Sequence, residues 1–239
     1  MEGKLRILKG QLKGELYFDN LMRTVYATDA SAYREMPLAV AIPKDEDDIA
    51  LLIKFAIRNN TSLIPRAAGT SLAGQVVGAG IIVDVSKYFT NIIEVNKDEN
   101  WVRVQPGVIR DELNLYLKDY GLYFGPETST ANRAMLGGMV GNNSCGSNSL
   151  IYGSAREHTL EVKGFLSDGS FVHFKDLSFD EFIAKCQLES LEGAIYKHIK
   201  TTLSDYNIQE EIRNKFPKST VKRRNTGYAI DMLLHSNPF

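Results

Sequence analysis

Residues 64–75, "IPRAAGTSLAGQ", join two apolar runs through a stretch built almost entirely from small side chains. A tight turn needs one or two glycines, yet Ala67, Ala68, Gly69, Thr70, Ser71, Ala73 and Gly74 all follow directly on Pro65 and Arg66. Low bulk over so many positions lets a partner approach the backbone closely. Consecutive N–H groups without bulky neighbours can form a concave anion site, and Thr70 and Ser71 add hydroxyl donors. A diphosphate suits such a site, although a close-packed strand turn would use the same composition. This is not a Walker loop, because no Gly-Lys-Ser/Thr follows. The Gly-x-Gly-x-x-Gly dinucleotide fingerprint does not occur in it either.

The surroundings read as a strand–helix–strand unit. "LAVAI" (38–42) is a short apolar run ended by Pro43. "KDEDDIALLIKFAIRNN" predicts a helix with Asp45 as N-cap, acids in the first turn and a stop at Asn59-Asn60. Its apolar face is expected to carry Ile49, Leu52, Ile53 and Ala56. "SLIPR" then predicts a strand before the loop, and "GIIVDVS" a buried strand after it. Beyond residue 90, "NIIEV", "WVRVQPG" and "LEVKGFLSDGSFVHF" alternate like strands, with Asp168-Gly169 marking a hairpin. "VIRDELNLYLKDYG" predicts a helix whose apolar face is Ile109, Leu113, Tyr116, Leu117 and Tyr120, stopped by Gly121. From about residue 178, "SFDEFIAKC", "LEGAIYKHIKTTLSDY" and "IQEEIRNKF" read as helices.

A second low-bulk segment, "GPETSTANRAMLGGMVGNNSCGSNSLIYG" (125–153), is rich in Gly, Ser, Thr and Asn. Long segments of this kind are functional or disordered, and Met135, Leu136, Met139 and Val140 argue for an ordered, buried one. Two such segments in one chain suit a long ligand with phosphates in its middle and polar rings at its ends.

Composition narrows the setting. With 44% apolar and 24% charged residues over 239 positions, the chain can bury a real core. A formal net charge of −1 gives no reason to expect nucleic acid or an anionic membrane surface. No long apolar span occurs and "MEGKLRILKG" lacks a signal-peptide core. Cys145 and Cys186 are the two cysteines, too few for a disulfide framework or a four-cysteine metal site. A cytoplasmic setting without an integral membrane segment is therefore expected.

The order "PRAAGTSLAGQ", "IIVDVS", "WVRVQPGV", "GPETS", "GGMVGNNSCG", "YGSAREHTLEV" and "SDG" resembles the FAD-binding domain of the vanillyl-alcohol oxidase/p-cresol methylhydroxylase type flavoproteins. Within that family it is most similar to the FAD-linked D-lactate, glycolate and D-2-hydroxyglutarate dehydrogenases. The resemblance covers about residues 25–175. It implies an α+β, two-lobed FAD-binding domain of the p-cresol methylhydroxylase type with a helical C-terminal segment. Residues 1–29 would be a lead-in, 30–90 lobe one and 91–176 lobe two, with FAD in the cleft between the lobes. Residues 177–239 would lead toward a substrate domain, "KRRNTGYAIDML" (222–233) marking the crossing.

By the same resemblance, Arg66, Ala67, Ala68, Gly69, Thr70, Ser71, Gly74 and Gln75 would wrap the FAD pyrophosphate, mainly through backbone N–H groups. Pro126, Glu127 and Thr128 would approach the flavin. Gly137, Gly138, Asn142, Asn143, Ser144 and Gly146 would line the channel between ring and diphosphate. Gly153 and the main chain at Val162 would lie near the adenine end. Relatives that attach FAD covalently often carry a His in the first loop, and this loop has none, so FAD is expected to bind non-covalently.

The substrate implied is a small hydroxy acid in a longer enzyme. No catalytic residue is assigned within this chain, which is not expected to complete a catalytic cycle alone, and nothing names the electron acceptor. A flavin-holding module without its own catalysis is the alternative. An enolpyruvyl-glucosamine reductase would need an NADPH-side substrate domain that the sequence does not show. Cys145 reads as small packing, Trp101 as core or lobe-interface packing, and His158 as structural or exposed. His173, His198 and His235 lack metal-ligand spacing, and Arg133 and Arg156 read as loop anchors or phosphate contacts. Lys222, Arg223 and Arg224 read as a solvated face, or as a contact for an acidic substrate or a neighbouring domain.

Overall fold

A computed structural model of the chain describes residues 1–218, 220–221 and 228–234. The chain folds into two compact units, Met1–His158 and Thr159–Phe239. The first begins with α1 (Glu2–Gln11), β1 (Glu15–Tyr17), α2 (Asn20–Val25), β2 (Ala39–Ile42), α3 (Glu46–Asn59), β3 (Leu63–Arg66) and β4 (Ile81–Asp84). These strands form one sheet in the order β1-β2-β4-β3, with β1 antiparallel to β2 and the other pairs parallel. Ile82 pairs with Val40 on one side and Ile64 on the other.

Every residue of β2 and β4 is buried, which is why both read as unbroken apolar runs rather than alternating ones. β3 lies at the sheet edge, where Pro65 breaks no ladder of a central strand. The expected helix is α3: the Asp45 side chain accepts from Asp48 N, and Asn60 ends it in the left-handed region at φ 49°. Its buried face is Asp48, Leu52, Ile53 and Ala56. Ile49 is half-buried instead, because Asp48 is drawn inward by three backbone donors: Lys13 N to Oδ1, and Gly14 N and Lys44 N to Oδ2. Residues before 30 are more than a lead-in. β1 is the other edge strand of the sheet, and Leu5, Leu8 and Leu16 join Ala39, Leu52 and Ile81 in its core.

The hairpin of β5 (Ile92–Asn96) and β6 (Trp101–Val104) precedes α4 (Arg110–Leu117), which a turn of 3₁₀ helix extends to Gly121 at φ 70°. Val108, Leu113, Leu117 and Leu136 make a second core against the hairpin. Tyr116 and Tyr120, expected on that face, stack on each other outside it at 5.5 Å. Their hydroxyls take the wet side while Leu113 and Leu117 fill the core. Trp101 is half-buried rather than core. Its Nε1 donates to Glu99 at 2.7 Å, and the Arg103 guanidinium lies 5.4 Å from its ring centre.

Residues 125–153 carry two short helices, α5 (Leu136–Gly141) and α6 (Ser149–Tyr152). Of the apolar residues expected to be buried here, Leu136 and Met139 are buried, Met135 is half-buried and Val140 is exposed.

The second unit contains the antiparallel hairpin β7 (Val162–Phe165) and β8 (Phe171–Phe174), turned at Gly169 with φ 86°. Four helices follow among the described residues: α7 (Phe179–Cys186), α8 (Leu191–Leu203), α9 (Tyr206–Lys215) and α10 (Ile230–Leu233). Ser178 and Glu181 close a capping box on α7. Phe182 meets Tyr196 edge-on at 5.8 Å, and Leu203, Ile212 and Leu234 form a small core. Lys222, Arg223, Arg224 and His235 lie outside the described residues. Helix and sheet are thus mixed across separate sheets rather than one doubly wound sheet.

Candidate functional site

The loop leaving β3 takes the shape its composition requires. Arg66 O still accepts from Val85 N at 3.0 Å, holding the loop's start to the sheet. The chain then turns at Gly69, where φ is +66°, and again at Gly74, where φ is +68°. L-residues rarely adopt that conformation. Among the described residues, the backbone N–H groups of Ala68, Gly69, Thr70 and Ser71 donate to no other protein group. Ser71 Oγ accepts from Ala73 N at 3.2 Å and donates to Gln75 Oε1 at 2.6 Å, tightening the far end. Ala68, Gly69 and Thr70 line a cleft of about 450 Å³ that Arg66, Thr130 and Arg133 also border.

The two low-bulk segments meet. Gln75 Nε2 donates to Asn142 Oδ1, and a Cβ on Gly138 would stand 3.7 Å from Ala67 Cβ. Gly137 N donates to Pro106 O at 2.9 Å, which seats the start of α5 on the segment after β6. The other end of the second segment closes on itself. Gly146 packs on the Glu127 carbonyl, which a Cβ there would strike. The Glu127 carboxylate accepts from Ser147 Oγ at 3.2 Å and Asn148 Nδ2 at 2.6 Å. Thr128 Oγ1 lies 3.3 Å from Thr130 Oγ1.

Other expected contacts have local employment. Asn143, at φ 45°, accepts from Arg156 N at 2.9 Å through Oδ1, and Ser144 O accepts from Ala155 N. Both tie α5 to the turn at 155–158. Gly153 ends α6 at φ +75° beside the Glu157 carboxylate. Burial works against that carboxylate, but hydrogen bonds from Ser154 and Arg156 hold it below its usual range. Val162 lies on β7 in the second unit. His158 Nε2 is 2.6 Å from Tyr152 O, His173 pairs with Glu161 at 2.9 Å, and His198 is exposed. Cys145 and Cys186 are both half-buried and not joined in a disulfide. No group of metal-ligating side chains occurs among the described residues.

Two supports escape a reading by composition. Arg110, on α4, is buried and spends its guanidinium on Pro126 O at 3.1 Å and Tyr123 OH at 2.7 Å. Asn114 reinforces it by accepting from Phe124 N at 2.7 Å. Together they fix the strand-like approach to Pro126, Glu127 and Thr128. The second support is residues 26–33, "YATDASAY", whose Thr28, Asp29 and Ala30 border the same cleft as Gly69. Two tyrosines bracketing short polar side chains were the only sequence signal there.

Comparison with known proteins follows this geometry. The FAD binding domain family matches residues 37–175. The D-2-hydroxyglutarate dehydrogenase of Pseudomonas putida is 37% identical over 221 residues, covering 91% of this chain and 22% of that protein. The mitochondrial D-lactate dehydrogenase [cytochrome] of Kluyveromyces lactis is 32% identical over 156 residues, covering 64% of this chain and 27% of that protein. The chain thus spans about a fifth of the length of the D-2-hydroxyglutarate dehydrogenases it matches. Among solved structures, alkyldihydroxyacetonephosphate synthase aligns with TM-score 0.66 at 18% identity, over 77% of this chain and 37% of that one. At that identity the likeness concerns the fold.

Proposed function

The chain belongs to the FAD binding domain family, and from that premise we propose that it is the FAD-holding portion of a flavin-dependent dehydrogenase oxidising a D-2-hydroxy acid such as 2-hydroxyglutarate, lactate or glycolate. The observation that carries the proposal is the loop after β3, with four consecutive free N–H groups on a low-bulk turn. That donor set fits a diphosphate, which needs several hydrogen bonds and close approach to the main chain. FAD, when bound, supplies the hydride acceptor.

In this reading the N–H groups of Ala68 to Ser71 hold the diphosphate oxygens, with Arg66, Ala67, Gly74 and Gln75 completing the wrap. Gly137, Gly138, Asn142, Asn143, Ser144 and Gly146 border the middle of the cofactor. The Gln75–Asn142 bond keeps the two segments together around it. Pro126, Glu127 and Thr128, braced by Arg110 and Asn114, face the flavin. Gly153 belongs to the adenine end, while Val162 lies on β7 of the second unit. The cofactor would lie between lobes 30–90 and 91–176, and residues 177–239 would lead toward the substrate domain. Binding is non-covalent, since no His stands in residues 64–75. The two-cysteine composition supports a cytoplasmic setting, and no described helix is long and apolar enough to cross a membrane. A base for the alcohol and cations for the carboxylate must both meet the flavin. Residues 25–175 offer Arg133 and Arg156 without a convergent set, so the reading leaves those groups to the substrate domain.

The test is titration of the purified chain with FAD, followed by flavin fluorescence, for the parent and Gly69→Val. A branched side chain is strained at φ +66° and fills the cradle, so FAD uptake should be abolished with the circular dichroism spectrum kept. Equal affinity in the variant would refute the site. A reconstituted chain can then be offered D-2-hydroxyglutarate, D-lactate and glycolate with an artificial acceptor. Robust turnover would move the catalytic groups into this chain.

A further inference from the structure

The sequence between α2 and β2 contacts the end of β3 and the loop that follows it at several points. Tyr26 OH donates to Asp84 Oδ2 at 2.6 Å. Asp84 itself is buried at the end of β4, and its Oδ1 accepts from Ser86 N at 2.7 Å. The ring of Tyr26, so anchored, lies against the Arg66 guanidinium, 5.1 Å from its centre. Arg66 Nη1 donates to Thr28 O at 2.8 Å. Ala30 N donates to Gly69 O at 3.2 Å, and the ring of Tyr33 covers Gly74 so closely that a Cβ there would stand 2.7 Å from it. Arg66 Nη2 lies 2.7 Å from where a Gly69 Cβ would be, so the guanidinium forms the floor of the turn.

We propose that Tyr26 and Asp84 are positioning residues for the diphosphate loop: they hold the Arg66 guanidinium flat beneath Gly69, and so keep the free N–H groups of 68–71 in their ligand-holding arrangement before ligand arrives. The proposal rests on the cofactor reading above. Its physical basis is preorganisation. An arginine side chain left to itself samples many rotamers, and a loop whose floor moves is competent for only part of the time. Apparent affinity falls by that fraction. The aromatic ring attracts the guanidinium and holds it in place. The Asp84 bond fixes the ring, and a hydrogen bond to a buried carboxylate is among the stronger ones.

The experiment measures binding of FAD, ADP and riboflavin to the full chain in the parent, Tyr26→Phe, Asp84→Asn and Arg66→Lys. ADP carries the diphosphate without the flavin, and riboflavin the flavin without the diphosphate. Tyr26→Phe keeps the ring and loses the anchor, so FAD and ADP should each bind about tenfold more weakly, with riboflavin unchanged. Combining Tyr26→Phe with Arg66→Lys should lose less than the product of the single effects, because both act through one guanidinium. Unchanged ADP affinity in a folded Tyr26→Phe, or riboflavin falling in parallel, would overturn the proposal. If Tyr26→Phe does not fold, Asp84→Asn answers the same question by the same two criteria. A parent that binds neither FAD nor ADP removes the cofactor reading itself, a result distinct from a parent that binds and a variant that binds equally well.

Discussion

Asp48 shows how one side chain can organise a fold. It is fully buried, and its carboxylate accepts from Lys13 N, Gly14 N and Lys44 N, joining the approach to β1 with the start of α3. Asp48→Ala removes the shared partner of those three part-buried N–H groups, at a cost of about 3 kcal/mol. Urea denaturation should show the midpoint falling accordingly, and Asp48→Asn, which keeps one acceptor oxygen, should fall less. Equal stability of Asp48→Ala and the parent would mean that another group satisfies these donors. Gly69 is the counterpart at the candidate site, since its worth lies in the side chain it lacks.

At the level of elements, the short edge strand β1 is held by more than its ladder. Glu15 accepts from Lys87, Tyr17 and Tyr88, reaching from β1 to the turn after β4. Chiefly the Lys87 bond, and then the two tyrosines, hold the Glu15 carboxyl at about 2, well below its ordinary 4.5. A lowered carboxylate contributes stability above its unfolded value and loses it as pH falls through the folded one. The parent should therefore lose stability as pH drops from about 4.5 toward about 2. Glu15→Gln should be less stable at pH 7 and show a flatter profile over that window. Acid titration followed by circular dichroism makes the comparison, and identical profiles would mean that the cluster contributes nothing.

For the whole molecule, ligand linkage provides the check. A ligand that binds only the folded chain stabilises it by about 2.7 kcal/mol at a hundredfold excess over Kd. Trp101 is the sole tryptophan and lies on β6 in the first unit, so its fluorescence reports that unit's unfolding. Its thermal midpoint should climb with FAD concentration, and a midpoint indifferent to FAD would tell against a site in Met1–His158. Acid precipitation of the loaded protein should leave all yellow colour in the supernatant. Colour retained in the pellet would mean a covalent link through a residue outside 64–75.

Local interactions explain what was legible in the sequence. Asp45 and Asn60 set the ends of α3, Gly121 and Gly169 mark the turns they occupy, and the unbroken apolar runs of β2 and β4 announce strands buried on both faces. Each of these depends on backbone preference or burial along one short stretch. The two low-bulk segments were visible for the same reason, because small residues are conspicuous wherever a backbone must be approached. What the sequence could not show is which distant groups those stretches meet. Asp48 looks like any first-turn acid until the Lys13, Gly14 and Lys44 amides surround it, and Tyr116 looks apolar until Leu113 and Leu117 have filled the core. Tyr26, Asp84 and Arg66 are separated by tens of residues, and only the parallel pairing of β3 with β4 puts Arg66 opposite Asp84. Local preference acts over a few residues of chain, whereas the cradle's floor depends on side chains that meet only when the sheet forms.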